Sequence, residues 1–333
     1  MRETAELLNL ARGVVSGVPG LSVVERSFSD DDSLCSIGLA NIHAKTDAEE
    51  NKNEIERVLR LFKNHGVNLA VFPEFCLSSY FWEDEDCWEH MDTAVMDRHV
   101  DWLRDTIEGM LDDTLRLVVL NNIREGSGRK YFNSTFVVNA EFDYLDPEWI
   151  YDKTFLPGIE KTYTESGGAD RLVIDTEWGR FGFSTCYDFC FSQIYQEMSM
   201  VDEVDAVIQV ASWRGPAVRN YPGMNRFANM YYGELWDMLM PSTAARNQIS
   251  VVAANACGEH EVNGAEFWGG SGLWMPSGMK MVQAGREPEL VIVHNVDFKG
   301  QRQKEKDDFD YAEDFEMIYD IIDGKRAFTR MGG

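Results

Sequence analysis

The chain has 333 residues, and its 57 Asp and Glu against 31 Lys and Arg leave a formal net charge of −26. A surface of that sign repels phosphate backbones and anionic lipid headgroups, which argues against nucleic acid and membrane partners and reads otherwise as ordinary solubility. With 44% hydrophobic and 12% aromatic residues, no dividing linker and no internal repeat, one large α/β domain is expected.

Residues 1–33 form an N-terminal extension that ends in Asp30-Asp31-Asp32 and precedes the first convincing strand. Its apolar stretches are interrupted by Glu3, Glu6 and Arg12, unlike a signal peptide. No apolar run in the chain reaches the roughly 18 residues of a membrane span, so a cytoplasmic protein is the expectation. Residues 35–42 read as a strand, and 47–65 as a helix with Ile55, Val58, Leu59 and Phe62 at helical spacing. Residues 67–72 form the next strand, 90–111 a helix, and 115–120, 135–139 and 149–151 strands. Residues 172–174 and 181–184 pair around Trp178-Gly179-Arg180, 194–200 is a helix, 206–210 a strand, 226–240 a long helix and 250–254 a strand. Strands near 272–275, 279–283 and 290–296 complete a domain over 34–298. The tail, 299–333, alternates acidic residues with Phe309, Tyr311, Phe315 and Tyr319, too aromatic for a merely solvated run.

Three of the strands end in reactive side chains. Phe72-Pro73-Glu74-Phe75, Tyr151-Asp152-Lys153-Thr154-Phe155-Leu156-Pro157 and Gly182-Phe183-Ser184-Thr185-Cys186-Tyr187-Asp188 each place one such group just beyond a short apolar run. A thiol attacks as its thiolate, so Cys186 needs a base for its proton and a cation for the developing anion. Glu74 can be the base and Lys153 the cation. The Tyr187 backbone N–H is a second candidate donor to the oxyanion. Singly, each residue has a plainer role: a buried thiol, a helix-terminal carboxylate, a surface ammonium. Read together, the three segments propose a Glu74-Lys153-Cys186 site.

These segments resemble the nitrilase, or carbon–nitrogen hydrolase, superfamily. Phe72-Pro73-Glu74 is similar to its glutamate segment, Asp152-Lys153-Thr154 with Leu156-Pro157 to its lysine segment, and Gly182 to Asp188 to its cysteine elbow. Asn247 followed by Val251-Val252-Ala253-Ala254-Asn255 resembles a later family strand, so the likeness runs from about residue 34 to 298. It implies a four-layer αββα sandwich and a homo-oligomer, at least a dimer, to which the extension and tail could contribute. It also implies a second glutamate after the lysine segment that helps orient substrate or a proton transfer, here Glu160. Departures fall around the site: Cys190 and Ser192-Gln193 replace the usual residues after the elbow, and Thr243-Ala244-Ala245-Arg246-Asn247 replaces another family segment.

The remaining candidates each have two readings. Asp188 could contact substrate or cap the helix after the elbow, with capping favoured. Trp213 could wall the pocket or pack in the core. Cys186 and Cys190 are four apart, but two sulfurs without further ligands make a poor zinc site, and the six cysteines are scattered as isolated thiols rather than as a disulfide framework. Asn133-Ser134-Thr135 matches a glycosylation sequon and is better read as a turn. Tyr80 to Asp86 mixes rings with acids and could fold over the pocket to favour a cationic substrate, though a solvated loop is the plainer reading. No Walker loop, dinucleotide fingerprint or HExxH sequence is present, so neither cofactor nor metal is implied. The expected activity is a cofactor-independent thiol hydrolase of a small amide or N-carbamoyl compound. The alternatives are a nitrilase and a non-catalytic scaffold.

Overall fold

The computed structural model describes residues 21–80, 87–128, 130–158 and 160–316, with the short pairs 321–322 and 325–326. In chain order the first elements are β1 (Ser22–Ser27), β2 (Cys35–Asn41), α1 (Ala48–Asn64), β3 (Leu69–Val71), α2 (Cys87–Ala94), β4 (Leu117–Glu125), β5 (Tyr131–Val138) and β6 (Ile150–Asp152). They are followed by β7 (Val173–Thr176), β8 (Gly179–Thr185), α3 (Ser192–Met200), β9 (Ala206–Ala211), β10 (Arg219–Tyr221), β11 (Arg226–Ala228) and α4 (Tyr231–Asn247). The last are β12 (Ser250–Asn255), β13 (Cys257–Glu259), β14 (Glu266–Trp268), β15 (Gly272–Trp274), β16 (Lys280–Gln283), β17 (Glu289–Val296), α5 (Phe298–Asp308) and α6 (Tyr311–Glu316).

Two sheets carry the fold. One has seven strands in the order β1-β17-β2-β3-β4-β5-β6, the other six in the order β16-β15-β12-β9-β8-β7. The strands are apolar on both faces because both faces are covered. Ile37, Leu39, Leu69 and Val71 of the first sheet meet Phe181, Phe183, Ile208 and Val210 of the second in a core between the sheets. The alternate residues Ala40, Ala70 and Phe72 turn outward onto Ile55, Val58, Leu59 and Phe62 of α1. On the far side Val207, Ala211 and Val251 pack on Tyr195 and Met198 of α3 and Trp236 and Met240 of α4. The result is an αββα sandwich. Asp47 caps α1 by accepting from the Glu49 and Glu50 N–H groups at 2.9 Å. A glycine at 38 lets that helix sit close, since a Cβ there would lie 2.8 Å from the Phe62 ring.

The expected elements shift in four places. Residues 22–27, placed in the N-terminal extension, form β1 in parallel register with β17; their alternation is blurred by the edge position, where only Val23 is buried. The helix expected over 90–111 is α2 followed by short helical turns over 96–108. The one expected at 226–240 begins later, at Tyr231, because 219–228 is taken by the β10–β11 hairpin, whose Asn225 turns the chain with a φ of 48°. Asn133 is no turn residue but lies within β5. The tail begins as α5, anchored by buried Phe298 and by Arg302, which donates to the carbonyls of Glu203 and Ser199 at 2.6 and 2.8 Å. Phe309 and Tyr311 beyond it are 68% and 44% exposed. The acidic-aromatic segment 81–86 and Tyr319 lie outside the described residues. Among the described residues no helix is long and apolar enough to cross a membrane.

Candidate active site

β3 and β6 belong to the first sheet and β8 to the second, and the chain leaving each strand supplies Glu74, Lys153 and Cys186 in turn. The site therefore lies where the ends of the two sheets face each other. Glu74 is fixed from across the sandwich: its N–H donates to the Ala211 carbonyl at 3.3 Å, while Ser212 donates its N–H to Glu74 Oε2 at 2.8 Å and its hydroxyl to the Glu74 carbonyl at 2.7 Å. Lys153 is held by its backbone, donating N–H to the Asn133 carbonyl at 2.8 Å and accepting from the Gly167 N–H at 3.0 Å. Asp152 beside it is pinned by Arg124 at 2.6 Å. A Cβ on Gly167 would fall 2.2 Å from the Asp152 carbonyl oxygen, so the lysine loop depends on glycine there.

The side chains converge. Lys153 Nζ donates to Glu74 Oε1 at 2.9 Å and to Glu160 Oε2 at 2.8 Å, and all three residues are fully buried. The Cys186 thiol lies within reach of the charges of Glu74, Lys153 and Glu160. Asn133 Nδ2 bridges both glutamates, donating to Glu74 Oε1 at 2.7 Å and Glu160 Oε1 at 2.9 Å, and Tyr80 donates its hydroxyl to Glu160 Oε2 at 3.2 Å. Asn121 orients Asn133 by donating to its Oδ1 at 2.9 Å, and accepts the Phe75 N–H at 2.9 Å.

Burial and charge set the protonation of this cluster. Burial alone would favour neutral Lys153, but the carboxylates of Glu160 and Glu74 outweigh it, so its pKa lies well above the usual value and the ammonium persists. Burial and then the Glu74 charge push the Cys186 thiol well up against the opposing pull of Lys153, so the sulfur rests protonated. Burial also raises Glu160, with Lys153 opposing. In a cluster of two carboxylates and an ammonium beside a thiol, a carboxylate can take the thiol proton and the ammonium can stabilise an anion built on the sulfur's target.

Residues 35–305 match the family model for carbon–nitrogen hydrolases. The chain belongs to that family. It is 25% identical to the chloroplastic omega-amidase of Arabidopsis thaliana over 80% of this chain and 69% of that protein. It is 22% identical to a citrullinase of Francisella tularensis over 85% of this chain and 91% of the relative. In fold it is similar to a CN-hydrolase superfamily protein from Xanthomonas campestris, with a TM-score of 0.68 and 19% identity over 84% of this chain and 96% of that one.

The other sequence candidates of this carbon–nitrogen hydrolase sit around the cluster. Asp188 is fully buried and accepts from the Thr185 N–H at 2.9 Å, the Phe155 N–H at 2.8 Å and the Tyr151 hydroxyl at 2.8 Å. It thus ties the elbow to the lysine loop and caps the short helical turn over Cys186–Cys190. Burial pushes its carboxyl up to about 6, against Lys153 and those donors. Trp213 is half-buried, its ring edge-on to Phe189 of the elbow at 4.5 Å and its Nε1 donating to the Tyr232 carbonyl at 2.7 Å. Tyr187 packs edge-on to Phe191 at 5.2 Å. Cys190 is exposed whereas Cys186 is buried, so the two thiols occupy different environments. In the sequence Asn133 reads as a turn residue and Tyr80 as part of a loop, not as members of this cluster, and nothing singles out Asn121 or Ser212. The signal available for Asn133 was a polar residue in the otherwise strand-like run Tyr131-Phe132-Asn133-Ser134-Thr135-Phe136.

Proposed function

We propose that this chain is a cofactor-independent amidase that hydrolyses a non-peptide C–N bond of a small amide or N-carbamoyl compound through a Cys186 thioester. The observation that carries the proposal is the buried Lys153 ammonium, held 2.9 Å from Glu74 and 2.8 Å from Glu160, with the Cys186 thiol within reach of these charges. Because that thiol rests protonated, Glu74 takes its proton as the sulfur attacks rather than beforehand. The S–C bond forms, and the substrate oxygen becomes an oxyanion stabilised by Lys153 and the Tyr187 N–H. The C–N bond then breaks as Glu74 returns the proton to the leaving amine or ammonia. Water attacks the thioester with Glu74 again as base, and the thiol is restored. Glu160, which shares Lys153 and Asn133 with Glu74, keeps the ammonium charged and oriented.

Amide and carbamoyl substrates are favoured because an omega-amidase and a citrullinase are among the relatives matched over most of the chain. Tyr187, Asp188 and Trp213 border the substrate, Asp188 through the backbone it positions. The protein works as a homo-oligomer, a reading supported by the exposed Phe309 and Tyr311 on the tail. Ammonia release across linear amides, N-carbamoyl amines and nitriles tests the proposal. Release from amides or carbamoyl compounds that is lost in Cys186→Ala is expected. Release from nitriles alone would make the chain a nitrilase, and no Cys186-dependent release from any of them would overturn the hydrolase reading.

A further inference from the structure

Strand β9 reads Ala206-Val207-Ile208-Gln209-Val210-Ala211, a buried run with one amide in its middle. Gln209 is fully buried, and a buried amide costs free energy unless its donors and acceptors are met. Here all are met. Nε2 donates to the carbonyls of Cys186 and Val210, both at 3.2 Å, while Oε1 accepts from Ser184 Oγ and, at 2.7 Å, from the Tyr195 hydroxyl. Two hydroxyls at one end and two carbonyls at the other also decide which end of the amide is oxygen.

This network acts on the nucleophile's own peptide unit. By strand alternation Gln209 shares the face of Val207 and Ala211, which is turned to α3 and α4, and its partner Tyr195 lies on α3. The Cys186 carbonyl is therefore drawn toward the helix layer. In a planar trans peptide the N–H points opposite to the C=O, so the Tyr187 N–H is directed to the other side, where Glu74 and Lys153 arrive from the facing sheet. Cys186 has a φ of 47°, a left-handed conformation that a non-glycine residue keeps only where its surroundings hold it.

We propose that Gln209 is the positioning residue that aims the Tyr187 N–H at the oxyanion, with Ser184 and Tyr195 locking the amide in place. The proposal rests on Cys186 being the nucleophile. It separates two reactions of the same sulfur. With p-nitrophenyl acetate an S–C bond forms, the C–O bond to p-nitrophenolate breaks, the thiol proton passes to Glu74, and an oxyanion must be stabilised on the way. With iodoacetamide an S–C bond forms as iodide leaves, the thiol proton is lost, and no oxyanion arises.

The test compares the p-nitrophenolate burst with the rate of Cys186 alkylation in the full chain, in Ser184→Ala/Gln209→Met/Tyr195→Phe and in Tyr195→Phe alone. The triple variant replaces the polar groups together, so that few buried partners are orphaned. Its burst should slow by roughly 100-fold, as for loss of one oxyanion donor, while alkylation stays within about threefold of the parent rate. Tyr195→Phe should show the same split to a smaller degree. A triple variant with an unchanged burst, or with both reactions slowed equally, overturns the proposal. If the triple variant does not fold, Tyr195→Phe decides by the same two criteria. A parent burst that survives Cys186→Ala would instead remove the nucleophile on which the proposal rests.

Discussion

Replacing Lys153 by Met keeps an unbranched side chain of similar length and deletes the charge. Glu74, Lys153 and Glu160 are fully buried, so with all three ionised the cluster carries one net negative charge. Without the ammonium it would carry two, and the salt bridges at 2.9 and 2.8 Å would both be gone. Removing one partner of a buried ion pair costs about 3–5 kcal/mol, against a total of about 5–15 kcal/mol for a domain. The variant can reduce that cost by binding a proton on Glu160. Burial already raises Glu160 above its ordinary value of 4.5, with Lys153 pulling the other way, and losing Lys153 raises it further. A folded pKa above the unfolded one contributes stability that is present at low pH and lost as pH rises through the folded pKa. The parent has no matching loss from Lys153, whose raised pKa keeps it charged throughout. The deficit of Lys153→Met should therefore be largest near about pH 7.5 and shrink near about pH 5. Urea unfolding followed by circular dichroism at the two pH values measures it. A deficit below about 1 kcal/mol, within the range of an exposed ion pair, or an equal deficit at both pH values would refute the reasoning.

Three further outcomes follow from other parts of the structure. Asn133→Ala removes donors to Glu74 and Glu160 at 2.7 and 2.9 Å; at about 1.5–3 kcal/mol for each bond to a charged group, urea unfolding should show a loss of about 3 kcal/mol or more, and a parent-like midpoint would remove Asn133 from the cluster. Asp188 is raised by burial from 3.8 to about 6, so its contribution is present below the lower value and is lost as pH rises through the higher one. Thermal melts of Asp188→Asn should lack that decline between the two values, and profiles parallel to the parent's would contradict the shift. Deleting the residues after Asp308 keeps the Phe298 and Arg302 anchors of α5, so the truncated chain should fold and show a lower mass by light scattering; a monomeric parent would refute the oligomer, and an unchanged mass would refute the tail's part in it.

The three strand ends were legible in the sequence because each is a short apolar run with one reactive side chain just beyond it. α1 was legible because one face is apolar at helical spacing and Asp47 caps it. The groups that orient the site were not. Asn133 comes from β5, and Gln209 and Ser212 from β9 and its exit, all remote in sequence from what they hold, and a lone amide in an apolar run does not say which partner it meets. β1 was hidden for a related reason: its pairing with β17 joins residues more than two hundred positions apart, and an edge strand lacks full alternation. The hairpin before α4 was missed because Tyr221, Met224, Phe227 and Met230 recur every three residues, a spacing that suits a helix.

The central claim is that Cys186 attacks the substrate and carries its acyl group. Rapid quenching of the reaction with p-nitrophenyl acetate, followed by peptide mapping in a mass spectrometer, tests it directly. The account predicts one acetyl group per chain, on the peptide containing Cys186, absent from Cys186→Ala and lost with time as the thioester hydrolyses. Acetylation at exposed Cys190 with Cys186 unmodified, or an unacylated parent that still releases p-nitrophenolate, would contradict it.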